Sequence, residues 1–311
     1  MIGTWGNAGG NITIELHGVN GTCANWRKFV SSSDISLFTN LEVGMHTVIN
    51  GANLFWVERG PQDGVPVVFI HGFPFSLEMW AKQMEKAGGD YRAIAYDIRG
   101  HGKSDVGDGQ YTIEGHVDDL LALMTALKLD RPVIVGLSMG GYIALRALER
   151  AQERFRAAVL CDTRSEADTN EGKLRRFAVI ASVKKIGSEA FAREMVKAIF
   201  APGAEQHSPE AVGNIRRIIA QTTPLSIAGS QLALASRTDT TASLASFRLP
   251  VLILVGEHDV TTPVEASKAM QERIQGSELH VVPGAAHMSN LENPAYFNER
   301  LLTFLGRVAG Q

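Results

Sequence analysis

The sequence has few cysteines, little excess charge of either sign and no long hydrophobic run. Its 311 residues include two cysteines, Cys23 and Cys161, which are too few for a disulfide framework, and we expect Cys161 to be a small core residue. With 30 basic and 33 acidic side chains the formal net charge is −3, so no nucleic-acid partner is expected. The longest apolar runs, Val65–Ile70 and Val251–Val255, are far shorter than the roughly 20 residues of a membrane span, so no membrane partner is expected.

The N-terminal region lacks both a targeting signal and the regular pattern found further along the chain. Met1–Gly10 has no basic residue and no apolar segment, so we expect no signal peptide and a cytoplasmic location. Residues 1–25 are rich in Gly, Asn and Thr, and Ser31-Ser-Ser-Asp34 is typical of a turn. We interpret residues 1–45 as an N-terminal extension, either a linker or leader or an arm that contacts a neighbouring subunit of a homo-oligomer.

From His46 onward the chain alternates regularly between strand and helix patterns. Thr47–Asn50 and Leu54–Arg59 predict a β-hairpin joined by Gly51-Ala-Asn53, and Tyr111–Leu129 predicts a helix with Thr112 as its N-cap. Apolar runs typical of strands buried on both faces of a parallel sheet recur at Val65–Ile70, Arg92–Ile98, Pro132–Leu137, Ala157–Asp162, Val251–Val255 and Leu279–Val282. The pattern predicts an α/β fold with a mostly parallel sheet and helices on both faces.

The stretch between Asp162 and Pro250 contains no convincing strand. Its helical patterns cover Lys173–Val183, Ser188–Phe200, Pro209–Gln221 and Leu225–Ser236. A helical insert of this size between two sheet strands indicates a cap domain, so we assign residues 163–244 to a helical cap and residues 46–162 and 245–311 to the core. Beyond the insert, Thr262-Pro263 predicts an N-cap and first turn for a helix that runs to Gln275.

A serine lies on a glycine-rich turn between a predicted strand and a predicted helix. Gly136-Leu-Ser138-Met-Gly140 follows the strand Pro132–Leu137 and precedes the helical run Tyr142–Arg150. So sharp a turn exposes the serine hydroxyl, and glycines two positions away on either side avoid a steric clash. The pattern predicts Ser138 as a nucleophile, the alternative being an ordinary glycine-rich turn.

A serine hydroxyl needs a base, and the base needs a carboxylate that orients it. We predict His287, in the loop between the last strand and the final helix, as the general base in preference to two other histidines, His258 and His280. Asp259 ends the strand Val251–Val255 and is the predicted acid, with Asp162, one strand earlier, as the alternative. The order of nucleophile, acid and base along the chain matches one of the known arrangements of this catalytic triad.

Two loops offer backbone N–H groups for a developing oxyanion. His71-Gly-Phe-Pro74 follows a strand, and its turn can direct the N–H of Phe73 toward a substrate oxygen, while Met139 supplies the second N–H. We expect His71 itself to have a structural role. The glycines and charges of Asp97–Ser104 suit a tight loop held by internal hydrogen bonds, and its spacing does not match a phosphate-binding loop.

These ordered motifs resemble the α/β-hydrolase superfamily over about residues 46–308. They are His71-Gly-Phe-Pro74, Asp97-x-Arg-Gly-x-Gly-x-Ser104, Gly136-x-Ser-x-Gly140, and Gly256-x-x-Asp259 with His287. The resemblance implies the α/β-hydrolase fold, with an eight-stranded sheet and the helical cap inserted before the strand at 251–255. Within the superfamily the chain is similar to 3-oxoadipate enol-lactonases, small bacterial carboxylesterases and cofactor-free haloperoxidase-like enzymes, which implies no cofactor and no metal.

The identity of the nucleophile implies acyl transfer to water. Haloalkane dehalogenases and epoxide hydrolases of this fold carry an aspartate where this chain has Ser138, whereas a serine forms an acyl-enzyme. We predict a carboxylesterase that cleaves small carboxylic esters, with a lactonase of the 3-oxoadipate enol-lactonase type as the alternative. A ligand receptor or regulatory binding protein with vestigial hydrolysis is an alternative of another class.

Apolar side chains near the predicted triad and in the cap are candidates for the substrate pocket. The predicted substrate-binding residues are Phe75, Phe177 and Phe191, and Met195 and Phe200 are further candidates. An apolar pocket suits a short acyl ester or a lactone. Arginines could instead bind a substrate carboxylate, or simply form a solvated helix face; they are Arg164, Arg175 and Arg176.

Overall fold

The fold is built on an eight-stranded sheet, seen in a computed structural model that describes residues 44–310. The strands are β1 Met45–Ile49, β2 Ala52–Arg59, β3 Pro66–Ile70, β4 Arg92–Tyr96, β5 Val133–Leu137, β6 Ala157–Cys161, β7 Val251–Gly256 and β8 Glu278–Val282. Their order in the sheet is β1-β2-β4-β3-β5-β6-β7-β8. The pairs β1–β2 and β2–β4 are antiparallel and all other pairs are parallel, which confirms the predicted sheet.

The sheet begins slightly earlier than the sequence predicts. Met45 already belongs to β1, while residues 1–43 of the predicted N-terminal extension lie outside the described residues. The hairpin turn is Asn50-Gly51, one residue before the predicted Gly51-Ala-Asn53, and its φ angles are 47° and 77°. Positive φ at both turn positions is what a type I′ hairpin turn requires, and Asn-Gly is the favoured pair for it.

Helices connect and flank the strands. They are α1 Ala81–Ala87, α2 Ile113–Ala126, α3 Met139–Ala151, α4 Asn170–Ile199, α5 Ala204–His207, α6 Pro209–Gln221, α7 Pro224–Ala235, α8 Val264–Arg273, α9 Ser289–Glu292 and α10 Pro294–Ala309, with short 3₁₀ helices at Leu77–Trp80, Gln152–Arg154 and Thr241–Ser246. No helix within residues 44–310 is both long and apolar enough to cross a bilayer.

The central strands are buried on both faces, as their continuous apolar runs predict. All five residues of β5 are buried, and so are all five of β6. Alternate residues enter different apolar clusters: Val133 and Val135 lie in one cluster, while Ile134 lies in the other. Because successive strand side chains point to opposite faces, these two clusters form the cores above and below the sheet.

Two predicted helix starts have different outcomes. Thr112 caps α2 as expected, since its side chain accepts a hydrogen bond of 2.9 Å from the N–H of Gly115. The prediction for Thr262 is wrong, because α8 begins at Val264 and Pro263 occupies the cap position without a side-chain hydrogen bond. The Thr262 hydroxyl instead donates to Asp259.

The segment between β6 and β7 is helical throughout its regular structure. It contains α4 to α7, and we call residues 163–244 the helical insert. The predicted pair of helices around residue 187 forms the long helix α4, whose backbone leaves the helical region at Gly187 with φ 76° and ψ 169°. Glycine suits this break because side chains disfavour positive φ. The insert and the sheet belong to one compact unit.

Candidate active site

The candidate residues follow the carboxyl ends of parallel strands. Ser138 directly follows β5, Asp162 directly follows β6, Asp259 comes after β7, and His287 comes after β8. These four strands are neighbours in the sheet and run in the same direction. The loops that leave them therefore lie at one edge, where ligands bind in open α/β sheets.

Ser138 lies in a strained turn between β5 and α3. Its φ of 54° and ψ of −112° are unusual for a residue with a side chain, and α3 begins at the next residue. The flanking glycines are sterically required: a Cβ on Gly136 would come within 2.3 Å of the Gly140 carbonyl oxygen, and one on Gly140 within 2.2 Å of the Ile70 carbonyl oxygen. The structure therefore contains the strand–turn–helix arrangement that the sequence predicts.

The imidazole of His287 and the carboxylate of Asp259 form a buried pair. His287 Nδ1 lies 2.8 Å from Asp259 Oδ2, and both side chains are almost inaccessible to solvent. Asp259 also accepts hydrogen bonds from the backbone N–H groups of Thr261 and Thr262 and from the Thr262 hydroxyl, the last at 2.7 Å. Burial alone would raise the pKa of Asp259, but the charge of His287 and these hydrogen bonds hold it below its usual value.

The serine is fixed through its backbone. The N–H of Ser138 donates to the Cys161 carbonyl at 2.9 Å, and the Thr163 hydroxyl donates to the Ser138 carbonyl at 2.9 Å. Within residues 44–310, no hydrogen bond joins the Ser138 hydroxyl to Nε2 of His287. The structure thus pairs the predicted acid with the predicted base and places the predicted nucleophile at the same sheet edge.

Asp162, the alternative acid, has different partners. Its side chain is fully buried, and it accepts hydrogen bonds from the N–H of Gly256 at 2.8 Å and from the hydroxyl of Ser289. Burial, followed by the nearby charge of Asp259, raises the pKa of Asp162 well above its usual value. Asp162 therefore connects β6 to the end of β7 and to the segment after His287, and the imidazole pairs with Asp259 instead.

The two loops on the other side of Ser138 are held by buried polar groups. His71 Nδ1 donates to the Gly72 carbonyl at 2.8 Å and its Nε2 accepts from the N–H of Ile98 at 3.0 Å, which is the structural role expected for it. Burial and the neighbouring His101 keep the pKa of His71 well below its usual value. Asp97 accepts from two backbone N–H groups at 2.7 and 2.8 Å, and burial raises its pKa to about 6. These bonds confirm a tight, internally braced loop.

The candidate substrate-binding side chains fall into three environments. Phe75 is fully buried in the core on one face of the sheet. Phe177 leaves 52% of its surface exposed. Phe191 and Met195 are half-buried and contact both apolar clusters, and Phe200 is buried.

Two of the three candidate arginines form ion pairs with acidic neighbours. Arg164 pairs with Glu166 at 3.3 Å and Arg176 with Asp168 at 2.8 Å, whereas Arg175 is exposed. These pairs reduce the case for a substrate carboxylate site. Nothing in the described part of the chain groups three or more His, Cys, Asp or Glu side chains in a way that could hold a metal ion.

Sequence reasoning missed two residues that contact this site. Thr262 donates its hydroxyl to the same carboxylate oxygen that faces His287, and its position three residues after Asp259 is the only local signal for this contact. Glu292 accepts hydrogen bonds from the N–H groups of Ala286 and Ala201. No local pattern indicates the role of Glu292, since Ala201 lies 91 positions away in the sequence.

Comparison with known proteins agrees with this geometry. The family model described as alpha/beta hydrolase fold matches residues 65–294. The chain is 29% identical to 3-oxoadipate enol-lactonase 2 of Acinetobacter baylyi, over 80% of this chain and 91% of that protein. It is 30% identical to the non-heme chloroperoxidase of Streptomyces lividans, over 85% of this chain and 99% of that protein.

Solved structures show the same relationship. A thermophilic esterase from Thermogutta terrifontis superposes with a TM-score of 0.81 at 32% identity, covering 86% of this chain and 99% of the esterase. The enol-lactonase from Burkholderia xenovorans LB400 superposes with a TM-score of 0.79 at 26% identity, covering 84% of this chain and all of the lactonase. The chain belongs to the α/β-hydrolase fold family.

Proposed function

We propose that the protein is a serine hydrolase that cleaves small carboxylic esters through an acyl-enzyme on Ser138. The observation that carries this proposal is the buried His287–Asp259 pair, at 2.8 Å, on the sheet edge that also bears Ser138 in its strained turn. An imidazole oriented by a carboxylate can act as a base for a hydroxyl, and the turn presents the hydroxyl at the start of a helix.

In the proposed reaction Nε2 of His287 takes the hydroxyl proton while Ser138 Oγ attacks the ester carbonyl. The N–H groups of Phe73 and Met139 stabilise the oxyanion of the tetrahedral intermediate. The imidazolium then gives its proton to the departing alkoxide, which leaves as an alcohol. Water, deprotonated by the same imidazole, attacks the acyl-enzyme, and protonation of Ser138 by the imidazolium releases the acid.

We propose that the helical insert acts as the cap and closes the substrate pocket. Phe191 and Met195 on α4 contact both apolar clusters without being fully buried, so they can present apolar surface to an acyl group. Such a lining favours short apolar acyl chains over charged ones. The engagement of Arg164 and Arg176 by acidic side chains also argues for an uncharged substrate.

A lactonase is the second candidate. A lactone is an internal ester, so the same residues would open it, and three of the similar proteins are enol-lactonases by name. The acidic side chains beside the arginines favour uncharged lactones over a diacid-derived enol-lactone.

The test is a rate panel on wild type and Ser138→Ala, with p-nitrophenyl acetate, butyrate and octanoate, simple lactones and a carboxylated enol-lactone. We expect multiple turnovers on the short esters, and a fall of at least about 10⁴-fold in kcat for Ser138→Ala. Ser236→Ala, an exposed serine at the end of α7, is the matched control and should keep full activity. One turnover that ends in a stalled adduct would favour a receptor, and retained activity in Ser138→Ala would refute the nucleophile.

A further inference from the structure

The loop that carries His287 is attached to the helical insert as well as to the sheet. The backbone N–H of His287 donates to the carbonyl of Ile199 at 3.0 Å, and Ile199 is the last residue of α4. Two residues later, the hydroxyl of Ser289 donates to Asp162 at the end of β6. The position of the imidazole therefore depends on the end of α4 and on the sheet edge together.

Glu292 joins the same two parts of the molecule with one carboxylate. Its Oε2 accepts from the N–H of Ala286 at 2.8 Å, and Ala286 immediately precedes His287. Its Oε1 accepts from the N–H of Ala201 at 2.7 Å, two residues beyond the end of α4. Because an ionised carboxylate offers two acceptor oxygens and no donor, it can bind both N–H groups at once.

We infer that Glu292 is a positioning residue, which fixes the His287 loop to the end of α4 and adds a negative charge beside the imidazole. The inference rests on the proposed function, in which His287 is the base. Because the Glu292 carboxylate binds both Ala201, beyond the end of α4, and Ala286, beside His287, a shift of the helical insert would also move the His287 imidazole. A second anionic group would also favour the imidazolium that forms during acyl transfer.

Two acidic side chains, Asp259 and Glu292, interact with His287 through their charge, and a third, Asp162, lies near both of them. Asp259 lies on the loop after β7, Asp162 at the end of β6, and Glu292 at the end of α9. On α4, Lys197 is exposed and pairs with Glu194 at 3.1 Å. Burial raises the pKa of Glu292, while its backbone hydrogen bonds and the charge of His287 act in the opposite direction. Both acidic side chains whose charge acts on His287 in the described part of the chain, Asp259 and Glu292, thus favour a cationic imidazole.

The main test compares Glu292→Gln with Glu257→Gln. A glutamine side chain in place of Glu292 offers one acceptor oxygen and an NH₂ group, so one N–H loses its partner and the negative charge is removed. We expect kcat to fall about 10- to 100-fold with little change in KM, because a displaced base affects the chemical step. The acid limb of the pH–kcat/KM profile should move to lower pH, because a negative charge near the imidazole is removed.

Glu257 provides the control because it binds the same loop without reaching the insert. Its Oε2 accepts from the N–H of Gly284 at 2.9 Å at an exposed position, and a glutamine oxygen can keep that bond. Glu257→Gln should therefore match wild type in rate and in pH profile. An unchanged profile and rate in Glu292→Gln, or an equal loss in both variants, would overturn the inference.

A second variant separates position from charge. Ala201→Pro removes the N–H donor but leaves Glu292 ionisable, and the preceding Phe200 already has the extended backbone, φ −103° and ψ 154°, that precedes proline. We expect kcat to fall about tenfold with the acid limb unmoved. Full activity in this variant would show that the insert does not position His287.

An NMR titration of the imidazole resonances reads the charge effect without turnover. A lower midpoint in Glu292→Gln than in wild type supports the inference even if the wild type hydrolyses no ester, in which case the proposed function fails alone. Equal midpoints in the two proteins would overturn the inference while leaving the esterase assay untouched.

Discussion

Two buried aspartates follow neighbouring strands, yet their environments have opposite effects. Asp259, after β7, faces the imidazole of His287 at 2.8 Å, and its pKa is lowered. Asp162, after β6, faces the N–H of Gly256 and the hydroxyl of Ser289, and burial raises its pKa well above the usual value. Both carboxyl groups are buried and both accept hydrogen bonds, so neither burial nor hydrogen bonding alone explains the difference.

The imidazole partner of Asp259 accounts for the opposite directions in which the pKa values of the two carboxyl groups move. Burial penalises the charged form of both groups, and His287 compensates this penalty at Asp259 only. The charge of Asp259 in turn disfavours ionisation of Asp162. One aspartate can therefore stabilise an imidazolium, while the other, in its neutral form, can act as a hydrogen-bonding brace between strands.

Neutralising each aspartate in turn tests the contrast between them, and Asp259→Asn should have the largest effect. An amide NH₂ cannot accept from Nδ1–H of His287 and would favour the wrong imidazole tautomer, so we expect kcat to fall by about 10⁴-fold. Activity on p-nitrophenyl acetate measures this, with circular dichroism as a check on folding.

Asp239→Asn supplies the matched control. Asp239 also accepts from two backbone N–H groups, those of Ala167 and Thr241, and its pKa is also lowered, but it lies in the helical insert. It should lose stability without losing kcat. If kcat of Asp259→Asn fell by less than about tenfold, Asp259 would not orient the base, because a tenfold change in rate corresponds to only about 1.4 kcal/mol.

The sequence was sufficient to predict the sheet and the positions of the candidate triad because both depend on local signals. Buried parallel strands appear as continuous apolar runs, and the Ser138 turn needs glycines at fixed spacing. Since parallel strands end at one sheet edge, predicting the strands also predicts that Ser138, Asp259 and His287 share that edge.

What could not be predicted depends on contacts between distant segments. Thr262 has the local signature of an N-cap, yet the Thr262 hydroxyl donates a hydrogen bond to the carboxylate of Asp259 instead. Glu292 accepts a hydrogen bond from a residue 91 positions away, and the apolar cluster that buries Phe75 completely is drawn from many segments of the chain. Spacing along one chain segment carries no information about which other segment packs against it.

A smaller effect on kcat is expected from Thr262→Val, which removes a hydrogen-bond donor to Asp259. Loss of the hydroxyl removes one hydrogen bond to Oδ2 of Asp259, worth about 1 kcal/mol, so kcat should fall about fivefold. A lowered carboxyl pKa stabilises the fold above the unfolded value of about 3.9, and this contribution is lost as the pH falls. The variant should therefore lose more stability at pH 7 than at pH 3.

Thr262→Ser tests whether the hydroxyl itself is responsible. It keeps the donor and should restore most of the rate and of the urea midpoint at pH 7. A serine variant as impaired as the valine variant would assign the effect to packing around the methyl group instead.

The smallest catalytic effect is expected at Asp162, where Asp162→Asn resembles the neutral acid. The amide oxygen can accept from Gly256 and the NH₂ group can donate to Ser289, so kcat should stay within about threefold of wild type, a change below 1 kcal/mol.

In wild type the unfolded chain ionises Asp162 above about pH 3.9, while the folded chain retains the proton to a higher pH, so stability declines as the pH rises across that window. Asparagine does not titrate, so the urea midpoint of Asp162→Asn should increase relative to that of wild type as the pH rises from 4 to 8. If the urea midpoint of the variant instead decreased relative to that of wild type with rising pH, Asp162 would be ionised in the folded protein. The contrast between the two aspartates would then fail.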